Sequence, residues 1–169
     1  MNERHVGAPG QVKEVTSLAN PLIKDIKALA LKKFRDQQNA FMAEGLKLVI
    51  DALDLGWQIR TLVFAKAGRG NPAVEKVAAR TVAAGGTVLE VSEKVLVAIT
   101  RRDNPQMVVG VFSQKFLALK DIRADNGDVW VALDRVRDPG NLGTVIRTVD
   151  AVGAKGVILV GDTTDPFSV

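Results

Sequence analysis

The sequence predicts an α/β protein in two units: a small α/β/α domain and, after a polar linker, an incomplete βαβ piece. Three observations carry this. Short apolar runs of strand length alternate with segments of helical period from residue 15 to residue 161. Glycine, proline and asparagine mark most of the boundaries between them. The polar stretch QKFLALKDIRADNGD, residues 114–128, breaks the alternation and holds the turn pair Asn126-Gly127. The expected organisation is a flexible tail over 1–14, a first domain over 15–115, a linker over 116–127 and a second unit over 128–169.

The elements follow in order. Gly7, Pro9 and Gly10 punctuate a tail without apolar period. Asn20-Pro21 opens a helix, proline taking its favoured first position. Leu22, Ile26, Leu29 and Leu31 are expected to form its apolar face. Lys24, Lys27, Lys32, Lys33 and Arg35 then form an outward basic face. AFMAEG (40–45) is a short strand ending in a glycine turn, and 46–56 a helix stopped by Gly56. Trp57–Ala65 alternates into a strand. A turn-rich loop leads to a helix over 73–84, closed by Gly85-Gly86. TVLEV (87–91) is a strand, 92–100 a helix capped by Ser92, and MVVGVF (107–112) a buried strand. Beyond the linker come strand VWVALD, a helix from about Asn141 to Val152, and strand GVILVG (156–161).

Composition narrows the function. At 47% hydrophobic and 25% charged, the 169 residues are those of an ordinary globular protein. No apolar run reaches the ~18 residues of a membrane span, and the N-terminus lacks a secretory core. Without cysteine there is no thiolate nucleophile and no Cys-based zinc site. The single histidine, His5, lies in the tail, which excludes Ser-His-Asp and histidine–metal chemistry. The default location is cytoplasmic. Charge is uneven: residues 1–127 carry 19 Lys and Arg against 13 Asp and Glu, whereas 128–169 carry 4 against 6. A polyanion-binding module beside a different one would give that asymmetry, and so would the solvated surface of a mildly basic protein.

The run ALDRVRDPGNLGTVIRTVDAVG, residues 132–153, is the most informative. Leu142, Val145, Ile146, Val149 and Val152 form a core-facing stripe. The other stripe, Gly140, Gly143, Thr144, Arg147 and Ala151, is small except for the arginine. A glycine inside a helix costs about 1 kcal/mol relative to alanine, so Gly143 suggests close approach beside Arg147. Asn141 or Asp138 can cap the helix, whose free N–H groups would also welcome a phosphate. The pattern alone leaves Arg147 either a solvated side chain or the fixed cation of an anion or ribose site. DPGNLG is neither a dinucleotide fingerprint nor a Walker loop, and no lysine accompanies it.

The spacing Asp-Pro-x-Asn-x-Gly-x-x-x-Arg, at Asp138, Pro139, Asn141, Gly143 and Arg147, closely resembles the first signature motif of the SpoU-TrmH family of RNA ribose methyltransferases. Residues 17–49 resemble that family's substrate-binding domain, with the Asn-Pro helix and the turn Phe41-x-x-Glu44-Gly45; NPQMVVGVF (104–112) resembles its closing strand. The resemblance implies that 15–115 holds RNA on a fold similar to kink-turn-binding ribosomal proteins, and that 128–169 opens a trefoil-knotted methyltransferase. It implies methyl transfer from S-adenosylmethionine to a ribose 2′-hydroxyl of ribosomal or transfer RNA, by a homodimer. Arg147 and Asn141 are then the catalytic candidates. Lys24, Lys27, Lys32, Lys33, Arg35, Arg101 and Arg102 are the RNA-binding candidates, gripping phosphates without reading sequence. The motifs that build the cofactor pocket would lie beyond Val169, so no cofactor-binding residue is assigned and this form is expected to be an inactive fragment. The alternative is a non-catalytic RNA-binding module. No metal is expected.

Overall fold

The computed structural model describes residues 10–123 and 125–168. The chain divides into two compact units, one running to Gln114 and the other spanning Lys115–Ser168. His5 and most of the expected tail lie outside the described residues.

In the first unit the elements are β1 (Gln11–Val15), α1 (Pro21–Ala28), α2 (Lys32–Gln38), β2 (Ala40–Glu44), α3 (Leu46–Asp54), β3 (Ile59–Ala65), α4 (Pro72–Ala83), β4 (Thr87–Val91), α5 (Glu93–Thr100) and β5 (Val108–Ser113). Five strands form one sheet in the order β1-β4-β3-β5-β2. β1, β4 and β3 run parallel, while β5 is antiparallel to both β3 and β2. One face packs Val63, Ala65, Leu89 and Val91 against Ile23 and Ile26 of α1 and Val95, Leu96 and Ile99 of α5. The other packs Leu62, Phe64, Val88 and Phe112 against Val49 of α3 and Val74 and Val77 of α4. This is a helix–sheet–helix sandwich, in agreement with the expected fold class.

Several local expectations are corrected. Residues 11–14 are strand: β1 pairs with β4 from Gln11↔Thr87 to Val15↔Val91. As an edge strand with four exposed residues it carries almost no apolar signal. An ion pair between Glu14 and Lys66 pins it and holds the Glu14 carboxyl below its ordinary value of 4.5. Such a pair stabilises fully above the unfolded-state value and fades as pH falls through the lowered folded one. Glu14→Gln should therefore lower the Tm slightly at about pH 7, and the difference should shrink as pH falls below the ordinary carboxylate value and through the lowered folded one; thermal melts across the acid range read it.

In α1 the buried positions are Ile23 and Ile26, with Leu29 just beyond, while Leu22 and Leu31 are exposed. The helix ends at Ala28, so a period drawn through Leu31 crosses a break. Asn20 does cap α1, its Oδ1 accepting from Leu22 N at 2.9 Å. Arg35 is corrected as well: it is only 4% exposed and Nη1 donates to Leu29 O at 2.7 Å. Its guanidinium satisfies a carbonyl at the α1–α2 junction, where α2 starts a new helix and turns this position inward. Trp57–Ala65 does not alternate, because β3 is central and buried on both faces. Ser92 precedes α5 without a side-chain capping bond.

The second unit contains β6 (Trp130–Asp134), α6 (Pro139–Ala151) and β7 (Gly156–Val160). The two strands pair in parallel from Trp130↔Gly156 to Asp134↔Val160, a βαβ unit. Of the expected α6 stripe only Leu142 and Val149 are buried; Ile146 and Val152 are exposed. Two strands about 5 Å apart present too narrow a face to cover a full helical stripe. No helix among the described residues is long and apolar enough to cross a membrane.

Candidate active site and nucleic-acid interface

In a parallel sheet, ligands bind beyond the carboxyl ends of the strands. At that edge β6 runs into Arg135, which has a left-handed backbone (φ 52°) and donates its N–H to Val160 O at 2.9 Å. The Asp134 carboxylate takes Arg135 Nε at 3.0 Å and Nη2 at 2.7 Å, a pairing that raises the Arg135 pKa further. Thr164 N donates to Val136 O at 2.7 Å, and Arg137 lies 3.5 Å from Asp162. These contacts tie the loop after β7 to the loop before α6.

α6 begins one to two residues earlier than expected. Asp138 is its N-cap, Oδ1 accepting from Asn141 N at 2.6 Å, and Pro139 takes the first position. This settles the capping question: the carboxylate before the proline does the capping. Asn141 sits in the first turn, exposed, with its side-chain amide making no hydrogen bond among the described residues.

Arg147 is exposed and makes no ion pair among the described residues. Its guanidinium runs back toward the helix start, Nη2 donating to Thr144 Oγ1 at 3.1 Å. A Cβ placed on Gly143 would lie 3.4 Å from Nη1. That is ordinary van der Waals contact, so Gly143 stands directly beside the guanidinium. Thr144, which counted in the sequence only as a small residue, is a hydrogen-bonding partner. Nothing in sequence spacing distinguishes it from alanine.

In the first unit Lys24, Lys32 and Lys33 are exposed and Lys27 is half-buried; Arg35 does not belong to this face. Arg101 is exposed at the end of α5, which packs on the same sheet face as α1. Arg102 is exposed but tied, Nε standing 3.1 Å from Glu44 Oε2. Glu44 Oε1 also accepts Gln106 N at 2.9 Å, and the side chain is only 9% exposed. The turn Phe41-x-x-Glu44-Gly45 therefore holds the loop 101–106 in place. Gly45 follows at φ 112°, a backbone that glycine accepts without strain, and opens α3. A shallow groove of about 440 Å³ runs along Glu44, Lys47, Leu48 and Gln106.

The MRM3-like substrate binding domain matches residues 20–110, and the SpoU rRNA Methylase family matches residues 128–168. The chain belongs to the family of the MRM3-like substrate binding domain, and its second unit is similar to the SpoU rRNA Methylase family. Among relatives, the Bacillus subtilis 23S rRNA (guanosine(2553)-2′-O)-methyltransferase RlmP is 32% identical over 157 residues, covering 93% of this chain and 58% of that protein. An rRNA methyltransferase from Sinorhizobium meliloti, 68% identical, superposes with a TM-score of 0.88 over 95% of this chain and 59% of its own; its AdoMet-bound structure gives 0.87. The SpoU methyltransferase AviRb from Streptomyces viridochromogenes, solved with AdoMet, is 26% identical with a TM-score of 0.75, covering 88% of this chain and 56% of that one. The chain spans somewhat under three-fifths of the length of these relatives.

Proposed function

We propose that this chain serves transfer of a methyl group from S-adenosylmethionine to a ribose 2′-hydroxyl of ribosomal or transfer RNA. One observation carries the reading. Within the segment that matches the SpoU methylase, Arg147 is an exposed guanidinium without a carboxylate partner among the described residues, held over a glycine beside the start of α6. An arginine keeps its protons in a protein, so Arg147 does not act as a general base. It clamps the phosphate beside the target ribose bidentately and stabilises the alkoxide that develops on the 2′-oxygen. Asn141, with its amide unengaged in the first turn of the helix, positions the sugar.

S-adenosylmethionine supplies the methyl group when bound. The carboxyl edge of β6 and β7 carries the Asp134–Arg135 and Arg137–Asp162 pairs. No residue is assigned to holding it.

Lys24, Lys27, Lys32, Lys33, Arg101 and Arg102 supply the RNA grip, contacting phosphates and following RNA shape. Replacing Lys24, Lys32 and Lys33 by glutamine should reduce the slope of log affinity against log salt by about 2–3, since each neutralised phosphate contributes roughly 0.7–0.9. Binding titrations across a salt series measure that slope. The domain division, a cytoplasmic location and a homodimer belong to the same proposal. Exposed Val129, Ile146, Val152 and Val160 on the second unit favour association.

Mapping 2′-O-methylation in RNA from cells with and without the gene tests the reading. Loss of a 2′-O-methyl group is expected; an unchanged map would refute it.

A further inference from the structure

We propose that Thr144 is a positioning residue for Arg147, a role that rests on the proposed phosphate-clamping arginine. The hydroxyl of Thr144 has one proton and two lone pairs. The proton goes to Gly140 O at 2.9 Å. That commits the donor and turns the lone pairs outward, where Arg147 Nη2 donates to the same oxygen at 3.1 Å. The three residues form a directed relay along one helix face, Arg147 to Thr144 to Gly140.

The relay matters because an arginine on an open surface otherwise samples many rotamers and loses side-chain entropy when it is fixed. Thr144 selects the rotamer that runs back toward Asn141 and the helix start, which is the favoured direction for a long side chain on a helix. Gly143 stands directly beside the guanidinium, since a Cβ there would lie 3.4 Å from Nη1. Thr144 thus fixes one edge of the fork while the other edge and Nη1 remain available for a bidentate anion. Thr148 repeats the threonine chemistry one turn later, its hydroxyl donating to Thr144 O at 2.9 Å, without an arginine on it. It serves as an internal control.

The test compares Thr144→Val, Thr144→Ser and Thr148→Val. Valine keeps the branched shape and removes the hydroxyl; serine keeps the hydroxyl. Two readouts are used on the same protein: kcat and KM for methyl transfer, and ¹⁵N NMR of the Arg147 side chain, assigned with Arg147→Lys. A single net hydrogen bond corresponds to about a fivefold to tenfold change. Thr144→Val should lower kcat by about that factor, leave KM for RNA within about twofold, and shift the Arg147 Nε–H signal. Thr144→Ser should restore both, and Thr148→Val should change neither. Wild-type kcat and an unshifted Arg147 signal in Thr144→Val would overturn the proposal, as would a serine variant as impaired as valine. If Arg147→Ala kept normal methylation, the clamping role would fail on its own, while the NMR comparison would still report whether Thr144 orients the side chain.

Discussion

Arg147→Ala should lose methyl transfer by about 10²–10³ in kcat, the usual consequence of removing one preorganised donor to a developing oxyanion. RNA affinity should change little. The guanidinium is one cation among many, and the exposed lysines of the first unit lie in a different compact unit. Arg147→Lys should recover little, because a point charge on a flexible stem does not reproduce a planar fork held by Thr144. Single-turnover methylation together with an RNA-binding titration separates the two effects. Equal losses in both would make Arg147 an ordinary phosphate contact.

The largest effect on stability is expected at Phe112. It is fully buried on β5, opposite Phe41 of β2 in the strand register. The two rings stack at 5.9 Å, and Trp57 meets Phe41 edge-on at 5.4 Å. Val49 of α3 and Leu62 of β3 belong to the same cluster. Phe112→Ala removes the largest fully buried side chain and leaves a cavity that β5, hydrogen-bonded on both sides, cannot collapse to fill. The cost should be about 3–5 kcal/mol. In a domain of this size that lowers Tm by roughly 15 °C or more. Calorimetry checks it, and near-UV circular dichroism should report loss of the aromatic packing. A shift of only a few degrees would mean that the cluster is not the core of the first unit.

How much of this was legible in the sequence depended on where each residue gets its partners. Asn20-Pro21 announced α1 correctly because a cap and an N1 proline are local chemistry. β6, α6 and β7 were legible for a similar reason, each carrying its own period or apolar run. β1 was not: an edge strand exposed over four of its five residues gets its reason to exist from β4, some seventy residues later. Arg35 was misplaced because the break between α1 and α2 rotates it inward, and no spacing rule records that rotation. At the candidate site, Arg147 and Gly143 stood out by size contrast. Asn141 reads most simply as the cap on local grounds, and that reading fails because the helix starts at Pro139, which gives the cap to Asp138. Thr144 and the Glu44 bond to the loop at Gln106 were invisible, since both depend on side-chain direction and not on residue type.

Action of the exposed Arg147 guanidinium on a ribose 2′-oxygen is read out by incubating the protein with labelled S-adenosylmethionine and target RNA, then hydrolysing the RNA in alkali. A methyl group on the 2′-oxygen blocks cleavage at that position, so the label should emerge in an alkali-resistant dinucleotide, and Arg147→Ala should leave almost none there. Label recovered in a mononucleotide as a methylated base would contradict the account.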